Sequence, residues 1–237
     1  MKKIFLKAEW NNLVMANYHI DPSLLQSYLP SKTELDFFNG QTYVSLIGFM
    51  FQDVKVLGIK IPWHINFEEV NLRFYVKHKE NNQWKRGVVF IKEIVPKQAI
   101  TYVANNFYHE KYSTLRMKHY RQEQAQELVT GYEWKFCDRW NKIEATTKKE
   151  MKQMITGSEE EFIAEHYFGY SRYNSSKTFE YEISHPRWSV YPVTSYHIDC
   201  DFSGLYGDRF SFLARVKPNS VFMANGSAIT ISNKRKI

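Results

Sequence analysis

Four polar side chains occupy every second position of one short apolar stretch, a spacing that could build a binding site. Because neighbouring side chains of a β-strand point to opposite faces, the alternation predicts a strand with an apolar core face and a polar face. The polar residues are Glu69, Asn71, Arg73 and Tyr75, and the residues between them are Val70, Leu72, Phe74 and Val76. We expect Leu72 and Phe74 to lie in the core.

The polar face could bind a small organic molecule that carries a carboxylate or a carbonyl group. Arg73 would anchor the anionic group, and Glu69 would orient or neutralise the guanidinium. Asn71 and Tyr75 would supply further hydrogen bonds, and aromatic side chains would shape the cavity around the ligand.

This polar face has two possible environments. In an open antiparallel sheet it would face solvent, whereas in a closed β-barrel it would face the lumen. In the lumen Arg73 would be buried, and a buried guanidinium needs a carboxylate partner such as Glu69 or another inward-facing acid. The spacing is compatible with both arrangements.

A second candidate is Lys111, which follows Glu110 just after a predicted helix. A lysine freed of solvent could form a Schiff base with a carbonyl substrate, whereas an exposed one would form a surface ion pair with Glu110. The adjacent carboxylate favours the charged amine, and no second lysine stands beside Lys111 to lower its pKa. We therefore expect Lys111 to be protonated, with a catalytic role only if the protein is an enzyme.

Other common sites have no signature in this chain. It contains no glycine-rich phosphate loop, no G-x-S-x-G elbow and no H-E-x-x-H motif, and its eight histidines lack metal-ligand spacing. We expect neither a metal nor another cofactor. The stretch 86–91 is similar to an RNA-recognition strand but lacks the stacking aromatics, and the net charge of +7 is not clustered, so nucleic acid is an unlikely partner.

Alternating and helical hydrophobic patterns outline the elements that must position these side chains. Residues 69–77 and 87–95 predict an antiparallel hairpin, and 42–51 predicts a central strand covered on both faces, with Gly48 at a bend. Helices are predicted after Asp21, after Pro96, and after Ser158, where the last would carry Phe162, Ile163, His166 and Tyr170 on one stripe. Further strands are expected at 13–20, 131–136, 140–147, 178–183 and 220–223.

Length and composition predict one domain over residues 1–237, and the patterns along the chain make it mainly β with about three helices. The 237 residues are 43% hydrophobic and show no repeat or linker. No apolar run reaches the roughly 18 residues of a membrane helix, and Lys7 and Glu9 interrupt any signal-like start. Two cysteines, Cys137 and Cys200, do not indicate a disulfide framework, so we expect a cytoplasmic protein.

Several segments together resemble the YqjF-like family of bacterial proteins. The most specific is the E-x-N-x-R-x-Y-V strand that begins at Glu69, and other matching segments lie around Trp10, at 38–49, at 87–90 and at 185–188. The resemblance implies a fold related to acetoacetate decarboxylase: an α+β, mainly β domain, with a β-barrel, a central cavity and a few peripheral helices. Glu69, Asn71 and Arg73 would then lie in the pocket.

The resemblance also implies a candidate reaction, because acetoacetate decarboxylase uses a Schiff-base lysine with a second lysine beside it. The corresponding stretch here, near residues 104–116, offers Lys111 alone, with Lys118 just beyond. Three functions stay open from the sequence: a small-molecule-binding protein, which we favour, a Schiff-base lyase, and a protein-interaction module that uses the basic, aromatic surface.

Overall fold

The computed structural model describes residues 3–237, which form sixteen strands and four short α-helices. The strands are β1 (Ile4–Ile20), β2 (Glu34–Leu35), β3 (Thr42–Val56), β4 (Phe67–Glu80), β5 (Gln83–Val95), β6 (Tyr112–Thr114), β7 (Met117–Glu123), β8 (Glu127–Phe136), β9 (Arg139–Lys148), β10 (Lys152–Gln153), β11 (Phe168–Arg172), β12 (Thr178–Ser184), β13 (Ser189–Tyr191), β14 (Val193–Asp199), β15 (Ser220–Ser232) and β16 (Arg235–Lys236). The helices are α1 (Pro22–Leu25), α2 (Gln98–Val103), α3 (Glu159–Ala164) and α4 (Phe202–Tyr206). The chain is therefore mainly β with few helices, as predicted.

Twelve strands form one large sheet and four form a smaller one. In the large sheet, β15, β1, β3, β4 and β5 pair antiparallel in that order, β11 joins β5 in parallel, and β12 follows β11. Strand β12 also pairs with β15 through Ile183 and Ile231, so the pairings return to the strand where they began. The smaller sheet has the order β14, β9, β8, β7.

The prediction of a central strand at 42–51 is confirmed, since β3 pairs with β1 on one side and β4 on the other. Gly48, where the sequence predicts a bend, is a point of close approach between the two sheets. A Cβ at this position would press on the ring of Tyr132 in the smaller sheet. The absent side chain lets the second sheet pack directly on the first.

Each face of the large sheet belongs to its own core. One core lies between the large sheet and the smaller one, and it includes Leu72, Phe74 and Trp134, all fully buried. The other core gathers residues from β1, β3, β4, β5, β12 and β15 together with α3. The predicted core positions Leu72 and Phe74 are confirmed, and the polar face of β4 is buried as well.

The predicted hairpin of β4 and β5 is also confirmed. Its turn consists of Asn81 and Asn82, both with positive φ (50° and 62°). This left-handed pair matches the twist of the two strands, and asparagine tolerates that conformation better than most residues.

The helix predicted after Ser158 is shorter than expected. Ser158 caps it by accepting a hydrogen bond from the Glu161 amide, as the capping box predicts, but α3 ends at Ala164. His166 lies beyond the helix and Tyr170 lies in β11, so the predicted stripe was wrong. Backbone pairing of β11 with β12 satisfies this segment's hydrogen bonds as a strand.

Gly226 should be one of the least replaceable glycines in the large sheet. Its φ is +83°, and a Cβ there would overlap the backbone carbonyl of Trp10. Gly58 is a matched control, because its φ of +86° is similar but nothing lies near the site of a Cβ. We expect Gly58→Ala to cost about 1–2 kcal/mol for the left-handed backbone, and Gly226→Ala to cost about 1–3 kcal/mol more. Urea unfolding of both variants checks this, and equal costs would contradict the overlap.

Candidate functional site

A cavity of about 210 Å³ opens beside α2 and the loop between β3 and β4. Its wall is mostly apolar and includes Phe51, Phe67, Ile100 and Val103, and we call it the outer cavity. A smaller inner cavity of about 50 Å³ shares several of its lining residues and reaches the polar face of β4. The polar residues common to both cavities are Glu69, Glu93, Tyr112 and Tyr181.

Strand register explains why these side chains meet. Asn71 of β4 pairs with Glu93 of β5, and Glu93 pairs in turn with Tyr112 of β6. Glu69 lies two residues before Asn71 and therefore on the same face. Asn71 Nδ2 donates to Glu69 Oε1 at 3.0 Å, and the Tyr112 hydroxyl donates to Glu69 Oε2 at 3.0 Å.

Glu110 adds a third carboxyl group to the outer cavity. The Tyr181 hydroxyl of β12 donates to Glu110 Oε1 at 2.9 Å. The sequence predicted a surface ion pair between Glu110 and Lys111, but Glu110 lines the cavity and Lys111 does not. The Lys111 ammonium lies instead against the ring of Tyr28, outside the cavity.

Burial raises the pKa of all three carboxyl groups. It raises the pKa of Glu69 to about 7, although Asn71, Tyr112 and Arg73 all favour the ionised form. Burial raises the pKa of Glu110 to about 8. The pKa of Glu93 lies well above its ordinary value because of burial and then the charges of Glu110 and Glu69. At neutral pH the cluster therefore holds protons that exposed carboxylates would release.

Arg73 lines the inner cavity and is buried, with 9% of its surface exposed, so it does not face solvent. Its Nη2 donates to the carbonyl of Ile163 at 3.1 Å, near the C-terminal end of α3. Within residues 3–237 no carboxylate lies within ion-pair distance of its guanidinium, so the expected direct partner is replaced by a carbonyl at a helix end. Glu69 still attracts it at longer range.

Four side chains of the inner cavity each have a buried polar atom without a protein partner among the described residues. These atoms are Trp10 Nε1, Asn71 Oδ1, Arg73 Nε and Glu93 Oε2. Buried polar groups in folded proteins are nearly always hydrogen-bonded, and these four exceptions belong to residues that line one small cavity.

Tyr75, the fourth polar residue of the predicted site, lines neither cavity. Its hydroxyl hydrogen-bonds Ser45 at 2.7 Å, and its ring contacts Phe162 and His166. Its position is that of a support beneath Arg73, whose guanidinium lies 5.5 Å from the centre of the Tyr75 ring.

Lys111 lies on the surface, with its ammonium 4.7 Å from the centre of the Tyr28 ring. Partial burial and the charge of Arg172 lower its pKa, while Glu110 raises it, so the effect that the sequence indicated is present but is outweighed. Among the described residues, no lysine lines either cavity.

Sequence reasoning did not place five of the cavity residues in the site: Trp10, Glu93, Glu110, Tyr112 and Tyr181. Glu93 left a usable signal, because Ile91 and Val95, the neighbours on its own face of the strand, are both apolar. The others come from separate segments that only the fold brings together. Across residues 3–237 no group of histidine, cysteine or acidic side chains is arranged to hold a metal ion, and no helix is long and apolar enough to cross a bilayer.

Known proteins share this architecture. The chain is 27% identical over 188 residues to the uncharacterized protein YqjF of Bacillus subtilis, which covers 77% of this chain and 74% of YqjF. Acetoacetate decarboxylase from Legionella pneumophila superposes with a TM-score of 0.66 at 13% identity, covering 99% of this chain and 88% of that one. The enduracididine biosynthesis enzyme MppR, complexed with pyruvate, gives 0.68 at 12% identity, covering 100% and 91%.

At these identities the solved structures establish the fold alone. The resemblance to the YqjF-like family that the sequence indicated is confirmed. The family model of DUF2071, an uncharacterized conserved protein, matches residues 7–228. The chain therefore belongs to the DUF2071 family and has a fold like that of acetoacetate decarboxylase.

Proposed function

We propose that the closed circuit of strands is a β-barrel whose joined cavities bind a small organic molecule with an apolar body and a carbonyl or carboxylate head. The observation that carries the proposal is the group of four unpartnered polar atoms on residues of the inner cavity. Each such group costs about 1–3 kcal/mol when left unsatisfied, so a ligand that satisfies them gains affinity and orientation.

The chemistry of these atoms defines the head group. Trp10 Nε1 and Arg73 Nε can only donate, and Glu93 Oε2 donates when the carboxyl is protonated. Asn71 Oδ1 can only accept. The three donors match the three acceptor oxygens of a 2-oxo acid, and the acceptor matches the hydroxyl group that appears in its enol.

The outer cavity defines the body of the ligand. Its apolar and aromatic wall favours a hydrocarbon chain or ring, and its volume of about 210 Å³ is below the ~300–1,000 Å³ of drug-sized sites. The ligand is thus the size of a small metabolite. The pyruvate in the MppR complex, an oxo acid, supports this class of head group.

The Schiff-base alternative has less support from the geometry. Lys111 is exposed and lies against Tyr28, and no other lysine among the described residues lines the cavities. Non-covalent binding is therefore the function that we propose. Covalent catalysis by Lys111 is the alternative, and the experiments below distinguish the two.

The proposal predicts saturable binding of 2-oxo acids with apolar tails. We expect 4-methyl-2-oxopentanoate and phenylpyruvate to bind more tightly than pyruvate in calorimetric titrations, because only they fill the apolar wall. Arg73→Gln should weaken binding about tenfold or more, since a hydrogen bond to a charged group is worth about 1.5–3 kcal/mol.

Arg121→Gln, at an exposed arginine of β7, is the matched control and should bind as the parent does. Failure of all three acids to bind the parent protein, or equal affinity in the parent and Arg73→Gln, would refute the proposed head-group site.

A further inference from the structure

Glu69 and Glu93 lie on neighbouring strands, line both cavities and differ in the charges and hydrogen bonds around them. Glu69 accepts hydrogen bonds from Asn71 and Tyr112, one on each oxygen, and Arg73 lies nearby as a positive charge. All three stabilise a carboxylate. Glu69 is therefore arranged as the member of the pair that can lose its proton.

Glu93 has an environment less favourable to a carboxylate. The Tyr112 hydroxyl also favours its ionised form, but its Oε2 has no protein partner among the described residues, and its charged neighbours are the carboxyl groups of Glu110 and Glu69. A second negative charge so close to two others is unfavourable, which keeps a proton on Glu93. Glu93 is therefore arranged as the member that can donate one.

The remaining groups that face this pair come from four further segments. Tyr112 of β6 and Tyr181 of β12 present hydroxyl groups, and Glu110 lies beside Tyr181. Lys111 and Lys234 act on Glu110 from outside the cavity wall and favour its ionised form. Two carboxyl groups whose environments separate their protonation states are the usual arrangement of an acid and a base in one site.

We propose that this protein catalyses proton transfer at the carbon next to the carbonyl of its ligand, with Glu69 as the base and Glu93 as the acid. This inference rests on the proposed function, because it uses the ligand held in the joined cavities. It assigns to the cavity a reaction that needs no lysine.

The step balances without any further reactant. The Glu69 carboxylate takes the proton from the α-carbon, and the electron pair of that C–H bond becomes the C=C bond of an enol. The carbonyl π pair moves to oxygen, which takes the proton of the Glu93 carboxyl. Return of a proton to carbon regenerates the ketone, so the net result is exchange, or isomerisation where another carbon accepts the proton.

The direction of the pKa shifts is consistent with these roles. Burial raises the pKa of Glu69 to about 7, so a useful fraction is ionised near neutral pH. The pKa of Glu93 lies well above its ordinary value because of burial and its acidic neighbours, so it is protonated there. A base works best when its pKa lies near the working pH.

The test is hydrogen–deuterium exchange at C3 of 4-methyl-2-oxopentanoate in D₂O, monitored by NMR. The protein preparations are those used in the calorimetric titrations. We expect the parent protein to accelerate exchange over buffer, with a rate that rises as the pD increases through the Glu69 pKa. Glu69→Gln and Glu93→Gln should each lose about 100-fold or more, the usual contribution of general acid–base catalysis. Glu150→Gln, at an exposed glutamate, is the matched control and should exchange at the parent rate.

The outcomes separate this inference from the proposed function. Binding without accelerated exchange, or full exchange in Glu69→Gln and Glu93→Gln, overturns the acid–base assignment and leaves binding intact. Absence of binding overturns the proposed function itself. The third outcome is a borohydride-trapped adduct on Lys111. If Lys111→Gln abolished both this adduct and the accelerated exchange, the reaction would follow the imine route, and the lysine-free reaction would be overturned. Thermal melts of each variant establish that the compared proteins are folded.

Discussion

Replacing Phe74 by alanine is expected to lower the free energy of unfolding by about 3–5 kcal/mol. Phe74 has no exposed surface and packs in the core between the large sheet and the smaller one. It lies in β4, which is paired on both sides, so the surrounding backbone has little freedom to collapse into the space left by the ring. The loss of buried apolar surface and the remaining cavity therefore both lower the free energy of unfolding of the variant.

Urea unfolding measured by tryptophan fluorescence gives the cost directly. Phe107→Ala is the matched control, because Phe107 is 58% exposed and its truncation should change stability by about 0.5 kcal/mol or less. An unfolding midpoint for Phe74→Ala equal to that of the parent would show that this face of β4 does not support the core.

Alternation in β4 predicted which residues share a face but not where the polar face points. A solvent-facing row and a lumen-facing row have the same spacing, and the difference depends on whether the sheet closes. In the large sheet the strand pairings return to β15 through Ile183 and Ile231, two positions that no local pattern connects. Local periodicity therefore predicted the strand and its core face, and the long-range pairing decided the environment of Arg73.

The same distinction applies to the candidate site. Glu69, Asn71 and Arg73 could be predicted because one strand presents them together. Glu93 lies beside Asn71 because of the register of β4 with β5, which shifts between Leu72 and Arg73. The alternation of apolar and polar residues in β4 does not predict this bulge. Glu110 was assigned to the surface because Lys111 is its neighbour in sequence, yet the chain turns these two side chains apart.

The buried acids predict an unusual dependence of stability on pH. Glu110 is the clearest probe, because burial raises its folded pKa to about 8. The charge of Glu69 raises this pKa as well, and the two effects outweigh the lowering influences of Tyr181, Lys111 and Lys234. A carboxyl whose pKa is higher in the folded state than in the unfolded state binds its proton more tightly when folded. Its stabilising contribution is complete below the unfolded pKa of ~4.3 and is lost as the pH rises through the folded pKa.

Glu110→Gln should therefore gain stability relative to the parent as the pH is raised from 5 to 8. Glutamine cannot ionise, so it avoids the cost of a buried charge, and it also removes one of the charges that raise the pKa of Glu93. We expect the difference in unfolding free energy to change by at least about 1.4 kcal/mol, the value of one pKa unit. Urea unfolding at several pH values measures it, with the exposed Glu150→Gln as control. Parallel curves for Glu110→Gln and the parent would mean that Glu110 is already ionised throughout this range, and that the cavity is wetter than its apolar wall implies.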